Sequence, residues 1–342
     1  MSRAFARLPR EERALALEEG ASRLGISPVI LEKDFWVCWV LKLIFDHPEI
    51  GPHVVFKGGT ALSKVFGVIS RFSEDVDLGL SPARLGFSED DLNEAPSATQ
   101  RQKQMRVLGD ACARHVEQEL GPNLEKAIAA ALRAGANPGR SLTYEFDAAV
   151  SSPDLIFAYP SATALAGGYI RKSVKLEFGS LTNQRPVGSH EIRPFLFGAF
   201  ADVYDDFSAS VVALEVERTF WEKATILHAE YHRPVDRPGR ERFARHYADF
   251  AALWKHPSRS IALAHLELLE DVARHKSRFF ASGWAHYDTA RPGSLKLYPP
   301  AHRLGELRLD YEKMRPMFLF EPPTFEEMLA HLAEAEREIN AA

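Results

Sequence analysis

The sequence has few of the residues that cross-link or anchor a protein. It contains two cysteines, Cys38 and Cys112, and both lie in stretches with helical periodicity. Nothing in the placement of these two thiols suggests a disulfide framework or a zinc site, so we expect a reducing, cytoplasmic setting. The densest apolar stretch, residues 35–45, is too short to span a bilayer and contains Lys42. We therefore expect no membrane partner.

Positive charge is not in excess either. The chain has 42 Lys and Arg against 47 Asp and Glu, a formal net charge of −5. A nucleic-acid partner would have to bind a local basic patch. The first twenty residues are charged throughout and lack the apolar centre of a signal peptide. The 342 residues, 46% of them hydrophobic, are enough for one large globular domain or two.

Residues 56–80, FKGGTALSKVFGVISRFSEDVDLGL, combine a strand, a turn, a helix and a second strand. The apolar run at 54–56 predicts a buried strand, and Gly58-Gly59 predicts a sharp turn that lets the backbone approach a ligand. Thr60 is predicted to cap a short helix. The apolar stripe of that helix would be Leu62, Val65, Phe66 and Ile69.

The second strand places two acids on one face. From Asp75 to Leu80 the pattern alternates, so Asp75 and Asp77 point away from the apolar side. Carboxylates two residues apart on a strand have Cα atoms roughly 6–7 Å apart, a spacing that suits Mg²⁺ shared with substrate phosphates. An isolated D-x-D is more often a solvated strand face. The Gly-Gly turn and helix before this one favour a metal site.

These motifs resemble a known enzyme superfamily. GGT followed by D-V-D between hydrophobic residues resembles the first motif of DNA polymerase β-like nucleotidyltransferases. The longer run FKGGTALSKV…RFSEDVDL is similar to the AbiEii/AbiGii toxin family, which includes the MenT toxins. The resemblance implies a toxin of a bacterial toxin–antitoxin or phage-resistance system with a cognate antitoxin. It also implies transfer of NMP from an NTP to an RNA acceptor, foremost the tRNA 3′ end.

The resemblance implies an α/β (α+β) fold with a nucleotidyltransferase-like mixed sheet and a largely helical C-terminal half. Residues 1–215 would form the core, with N-terminal helices and a helical insertion near 81–140. Residues 216–342 would form a helical region that closes the cleft. The run LEKDFWVCWVLKLIF at 31–45 is similar to the N-terminal helix of the family. We expect its residues 32–34 to be a solvated first turn, with the acids near the positive end of the helix dipole.

A second strand motif, VKLEFG at 174–179, puts Lys175 and Glu177 on one face. The motif fits two alternatives equally well. One is an exposed, ion-rich edge strand, and the other is a strand beside the D-x-D strand. In the second case Glu177 supplies a third carboxylate and Lys175 a phosphate-binding cation, as its resemblance to the second motif of the family implies. If the strand lies elsewhere, Glu215 or Glu217 is the next candidate.

Two helices are predicted between residues 217 and 256. TFWEKA matches a family signature, and Lys223 fits either an exposed helix face or a phosphate contact. In the second helix, Arg242, Arg245 and Asp249 follow one face at helical spacing. The family pattern R-x-S-R-H-Y-Y-D-L is altered to alanine at positions 244 and 248, which puts hydroxyl contacts in doubt. His246 is more typical of a structural histidine.

The resulting hypothesis is a nucleotidyltransferase that uses Mg²⁺, with Mn²⁺ as an alternative, and an NTP. Catalysis is assigned to Asp75, Asp77 and Lys175, and metal binding to Asp75, Asp77 and Glu177. Nucleotide binding is assigned to Lys57, Gly58, Gly59, Thr60, Arg71, Lys223, Arg245 and Asp249.

RNA would dock on the basic segment of residues 233–245, although such charge runs are usually solvated. One rival is transfer to a protein or small molecule. The other is a non-catalytic nucleotide-binding module, which the intact acidic pair disfavours.

Overall fold

The computed structural model describes residues 5–73, 75–88, 97–132, 141–147, 152–163, 171–181, 183–200 and 208–341. The chain forms two units. The N-terminal unit comprises Met1–Val65 and Ser73–Ala213, and the C-terminal unit comprises Phe66–Phe72 and Leu214–Ala342. A short segment from the first quarter of the sequence therefore belongs to the C-terminal unit. The closing of a cleft by residues 216–342 stays a prediction.

The N-terminal unit begins with helices α1 (Arg10–Leu24) and α2 (Pro28–Asp46). Pro28 is the first residue of α2, where its missing N–H leaves no hydrogen bond unmade. Helix α2 carries apolar residues on all of its faces, so it is buried along most of its length. Trp36 of α2 stacks on the Tyr159 ring with centroids 5.7 Å apart. This contact packs α2 beside the sheet.

Within the described residues, seven strands form one mixed sheet in the spatial order β3-β4-β5-β2-β1-β7-β6. The strands are β1 (Val54–Lys57), β2 (Asp75–Leu80), β3 (Leu142–Asp147), β4 (Ser152–Phe157), β5 (Val174–Gly179), β6 (Val187–Ile192) and β7 (Ala209–Leu214). Strand β2 is central, antiparallel to β1 and parallel to β5. Its apolar residues Val76, Leu78 and Leu80 are buried, as the period-two pattern predicts.

The helix after the glycine turn, α3 (Gly58–Lys64), is shorter than predicted. Val65 follows its last residue, and Phe66 and Ile69 lie beyond it in the C-terminal unit. The predicted apolar stripe through Ile69 is therefore wrong. Thr60 does not cap α3 either, because the helix begins two residues before it.

The predicted insertion contains α4 (Ala98–His115) and α5 (Gly121–Leu132), joined by a π-helical turn at Val116–Leu120. Gly121-Pro122 starts α5, and a first-turn proline needs no N–H partner. Positions 89–96 and 133–140 of the insertion lie outside the described residues. Later in the chain, the prolines and the aromatic run of residues 185–210 predict short strands and loops, but Phe195–Ala199 forms a short helix, α6.

The C-terminal unit is largely helical. Its helices are α7 (Val216–Tyr231), α8 (Ala244–Lys255), α9 (Arg259–Ala264), α10 (Leu266–Phe279), α11 (Leu304–Lys313) and α12 (Phe325–Ala341). In the described part of the chain, no helix is both long and apolar enough to cross a bilayer.

Helix α8 begins later than predicted, after a turn at Arg242 with φ of 59°. The Asp310 carboxylate of α11 accepts the N–H groups of Arg242 and Ala244, at 2.9 and 2.7 Å. Asp310 thus caps α8 from a neighbouring helix. Arg242 precedes α8, so the predicted helical face shared by Arg242, Arg245 and Asp249 is wrong for Arg242.

Candidate active site

A row of charged residues crosses four neighbouring strands of the sheet. Asp77 of β2 pairs in register with Lys57 of β1 on one side and Glu177 of β5 on the other. Glu177 in turn pairs with Asp154 of β4. Residues directly opposite one another on adjacent strands point to the same face of a sheet. The second strand motif therefore lies beside the D-x-D strand, with Glu177 on the same face as Asp77.

The backbone at Gly58 lies against the Asp77 side chain. Gly58 has φ of +77°, and a Cβ built there would lie 1.9 Å from Asp77 Oδ2. Any other residue at this position would be strained in its backbone and would overlap the carboxylate. Gly58 is thus required for the Asp77 side chain to keep its place.

Two contacts tie the other acid of the pair to its surroundings. The Thr60 hydroxyl of α3 donates to the Asp75 backbone carbonyl at 2.5 Å. Asp75 is also opposite Lys175 of β5 in the sheet register. Both Asp75 and Asp77 are half-buried, in contrast to the buried apolar residues that alternate with them. The acids therefore lie on the accessible face of β2.

Lys175 is shared between two acids. Its Nζ lies 2.5 Å from Glu177 Oε1 and 3.0 Å from Asp154 Oδ2. Burial disfavours the charged amine, but these hydrogen bonds outweigh it and raise the pKa of Lys175. Burial and the nearby Asp77 charge together raise the pKa of Glu177. The site thus holds more negative charge than Lys175 alone offsets.

The donor chemistry of the D-x-D pair fits a hard divalent cation. Asp75 and Asp77 offer carboxylate oxygens on an accessible strand face, the ligands that Mg²⁺ shares with phosphates. Glu177 differs, because Lys175 already binds its carboxylate. Among the described residues, no group of three or more His, Cys, Asp or Glu is arranged to hold a metal ion. Metal binding by Glu177 stays a prediction, in which the ion would compete with Lys175 for the Oε1 oxygen.

Asp154 is the member of the charged row that sequence reasoning missed. The apolar run that starts at Leu155 predicts a strand over 155–159, whereas β4 begins at Ser152. Pro153 and Asp154 are both depleted in strands, which hid the start of β4. Asp154 is 2% exposed and accepts a hydrogen bond from Ser152 Oγ at 2.8 Å. An acid beside the apolar run Leu-Ile-Phe was the available signal.

Residues 32–34 are buried in the second turn of α2, so the prediction that they form a solvated first turn is wrong. Glu32, Lys33 and Asp34 are each 1% exposed. The Glu32 carboxylate accepts the Ala162 N–H at 2.5 Å and the Thr163 hydroxyl at 2.6 Å. Buried carboxylates need such partners, because an unpaired charge is costly to desolvate.

A second charged cluster lies within the C-terminal unit. The Arg71 guanidinium binds both oxygens of Asp249 of α8, at 2.7 and 2.8 Å. Lys223 Nζ of α7 donates to Asp249 Oδ2 at 2.7 Å. Arg71, Lys223 and Asp249 are at most 7% exposed. Three of the predicted nucleotide-binding residues thus form one buried ion network with two positive charges and one negative.

His246 completes this network as a neutral partner. Its Nδ1 lies 3.2 Å from Lys223 Nζ. Burial, and then the Lys223 charge, hold the pKa of His246 well below its usual value, so the ring is an acceptor here. Arg71 and Asp249 also line a cavity of about 410 Å³ in the C-terminal unit. Arg245, on α8, is half-buried and contributes to the positive potential at Lys223.

Asp249→Asn is expected to destabilise the protein by about 3–5 kcal/mol, because Arg71 and Lys223 would stay buried without a counter-charge. Although burial opposes it, pairing with these two cations holds the pKa of Asp249 below its usual value. The stabilisation is therefore complete above the unfolded pKa of about 3.9 and is lost as the pH falls below it. Urea unfolding at several pH values measures both effects.

Asp310→Asn is the matched control for this variant. Asparagine has one acceptor oxygen in place of the two carboxylate oxygens that accept the Arg242 and Ala244 N–H groups, so one backbone N–H loses its partner but no buried cation does. We expect a loss of about 1–2 kcal/mol, which is smaller than that of Asp249→Asn. Equal losses in the two variants would contradict the assignment of the Asp249 effect to uncompensated charge.

The chain matches one family model and is similar to a solved structure. The family model described as "Nucleotidyl transferase AbiEii toxin, Type IV TA system" matches residues 39–331. Among solved structures, the chain is similar to MenT4, a nucleotidyltransferase toxin from Mycobacterium tuberculosis H37Rv. That similarity has a TM-score of 0.49 and 14% sequence identity, and it covers 98% of this chain and 90% of the other. No curated protein sequence matches significantly.

Proposed function

Because this chain belongs to the AbiEii family of nucleotidyltransferase toxins, we propose that it transfers a nucleoside monophosphate from an NTP to an RNA acceptor. The tRNA 3′ end is the proposed acceptor, and growth arrest is the proposed outcome. The observation that supports transfer most directly is the charged row of the sheet. In that row Glu177 is in register with Asp77, and the backbone of Gly58 lies against the Asp77 side chain.

Asp75 and Asp77 are the proposed ligands of Mg²⁺. When bound there, the ion would neutralise charge on the triphosphate and polarise the attacking hydroxyl. Lys175 lies within reach of the same row and is the proposed cation for charge that develops on the phosphate. Asp154 holds Lys175 from the far side of Glu177, so Lys175 can leave Glu177 without losing its counter-charge.

Phosphate contact is proposed for Lys57, Gly58, Gly59 and Thr60. Lys57 is opposite Asp77 in the sheet register, so its charge offsets that of the acid. Arg71, Lys223, Arg245 and Asp249 are proposed to contact the nucleotide. The net positive charge of the Arg71–Lys223–Asp249 network supports this role, and so does the place of Arg71 and Asp249 on a cavity wall. We also propose a cognate antitoxin as partner and the cytoplasm as location.

Incubation of the purified protein with total RNA, Mg²⁺ and each labelled NTP in turn tests the proposed function. We expect label to enter an RNA of tRNA size from one NTP or a few. Label that enters protein instead, or a small molecule, would replace the RNA acceptor with that class. No transfer to any acceptor would contradict the activity itself.

RNA binding is expected to weaken when Arg237 and Arg240 are both replaced with alanine. Both side chains are exposed on the turn before α8, where a phosphate backbone can reach them. Each lost phosphate contact should reduce the slope of log affinity against log salt by about 1. Filter binding of tRNA over a range of salt concentrations gives the slope, and NTP affinity should not change.

The matched control removes two positive charges elsewhere. Arg308 and Arg315 are also exposed, but each is paired with a glutamate, Glu326 and Glu321 respectively. Their double alanine variant should keep RNA affinity. If both double variants weaken binding equally, only net charge matters and the proposed docking segment is wrong.

A further inference from the structure

Helix α3 is tied on both sides within the N-terminal unit. On the sheet side, Gly58 lies against the Asp77 carboxylate, and the Thr60 hydroxyl donates to the Asp75 carbonyl. On the other side, Lys64 Nζ at the end of α3 lies 2.7 Å from Asp34 Oδ1 of α2. Helix α3 therefore connects the second turn of α2 to both acids of the D-x-D pair.

The Asp34–Lys64 pair is closed off from solvent. The two side chains are 1% and 4% exposed. The second oxygen of Asp34 accepts the Phe195 N–H at 2.7 Å, which uses the start of α6 as a further support. The Lys64 amine lies 3.6 Å from the centroid of the Phe195 ring, a favourable place for a cation. Each buried charge therefore has a partner of opposite charge and a second contact that fixes its orientation.

We propose that Asp34 and Lys64 are positioning residues for the Asp75 and Asp77 site. This inference rests on the proposed nucleotidyltransferase function. The pair holds the far end of α3, so that the glycine turn at its near end stays against Asp77. Neither residue contacts substrate in this role. They act through α3, and their loss lets the turn move relative to the strand that holds the acids.

Energetics alone do not require an ion pair here. A buried pair is often no more stabilising than apolar residues of similar volume, whereas removal of one partner leaves a costly unpaired charge. The two effects can therefore be separated. Single variants lose both stability and the clamp, but a double variant without either charge loses the clamp alone.

The test compares Lys64→Met, Asp34→Asn and the double variant with the wild type. Three quantities are measured: the unfolding midpoint, hydrogen exchange of peptides covering 58–64, and kcat and KM for nucleotide transfer. We expect the double variant to recover most of the stability lost in the singles. We also expect its exchange over 58–64 to stay faster than in the wild type, and its kcat to stay about 10- to 100-fold low, because small displacements of reacting groups are costly.

Glu125→Gln serves as the control for general destabilisation. The Glu125 carboxylate of α5 accepts the Leu142 N–H at 2.7 Å and the Ser141 hydroxyl at 2.7 Å, at the start of the edge strand β3. The Glu125→Gln substitution should lower the unfolding midpoint without affecting hydrogen exchange over 58–64 or kcat.

Two outcomes would overturn the positioning role. One is a double variant in which kcat and exchange recover together with stability, which makes the pair merely structural. The other is a control that lowers kcat as much as the pair variants do. A wild type that transfers no nucleotide contradicts the proposed function instead. In that case the exchange measurement still tests the pair. If hydrogen exchange over 58–64 is the same in the double variant and the wild type, the pair does not hold α3 in place.

Discussion

Asp77→Asn is expected to reduce nucleotide transfer by about 10³-fold or more and to remove toxicity. The amide keeps the shape of the carboxylate but not its charge, so the D-x-D pair can no longer hold a divalent cation. The fold should remain intact. Stability should be equal or slightly higher, because the Asp77 charge raises the pKa of the neighbouring Glu177, and this repulsion disappears. Transfer assays and thermal unfolding of the same preparation measure both effects.

Glu191→Gln is the control for loss of one acid from the sheet. Glu191 is an exposed carboxylate on the terminal strand β6, outside the charged row. It should transfer nucleotide at the wild-type rate. Near-normal transfer by Asp77→Asn would show that the D-x-D pair is not the metal site.

Gly58→Ala is expected to abolish transfer although it adds only one methyl group. The new Cβ would lie 1.9 Å from Asp77 Oδ2, so the carboxylate or the glycine turn must shift. Displacement of a reacting group by about 1 Å costs on the order of 100-fold in rate, and the turn is proposed to contact phosphate as well. We expect kcat to fall with only a moderate loss of stability. Transfer kinetics beside calorimetric unfolding tests this.

Gly86→Ala separates backbone strain from the clash. Gly86 has a similar φ of +82°, but among the described residues other than its two chain neighbours, no atom lies within 4 Å of a Cβ built there. Alanine at either glycine bears the strain of a positive φ, and only alanine at Gly58 meets Asp77. Wild-type kcat in Gly86→Ala together with a large loss in Gly58→Ala is the expected result. Similar kcat values would contradict a role for the Gly58–Asp77 contact.

Local patterns predicted much of the N-terminal unit. The alternation of β2 and β5 places Val76, Leu78 and their counterparts in the core, and burial of apolar side chains is strong enough to define such strands. The neighbouring position of β2 and β5 is a long-range feature that alternation cannot establish. For Lys175 and Glu177 it was only one of two alternatives, and the pairing of Asp77 with Glu177 decides between them.

The errors share a physical cause. Polar residues are expected at the surface unless a partner is known, and the partners of Glu32 and Asp34 are more than a hundred residues away or on another helix. The Arg71–Asp249 pair spans 178 positions, so its formation could not be predicted from spacing. The outcome at Arg242 depended on Asp310 in the same way. Sequence periodicity describes an element, but tertiary partners decide where it ends and what it buries.

The assignment of Phe66–Phe72 to the C-terminal unit has a consequence for synthesis on the ribosome. The Ser70 carbonyl accepts the Leu319 N–H at 2.9 Å, and the Phe72 N–H donates to the Met317 carbonyl at 2.6 Å. Translation produces residues 66–72 long before residues 317–319. During that interval the nascent chain has no native partner for these backbone groups, nor for the Arg71 charge until Asp249 emerges. A stop codon placed before residue 317 would therefore leave residues 66–72 without these backbone hydrogen bonds.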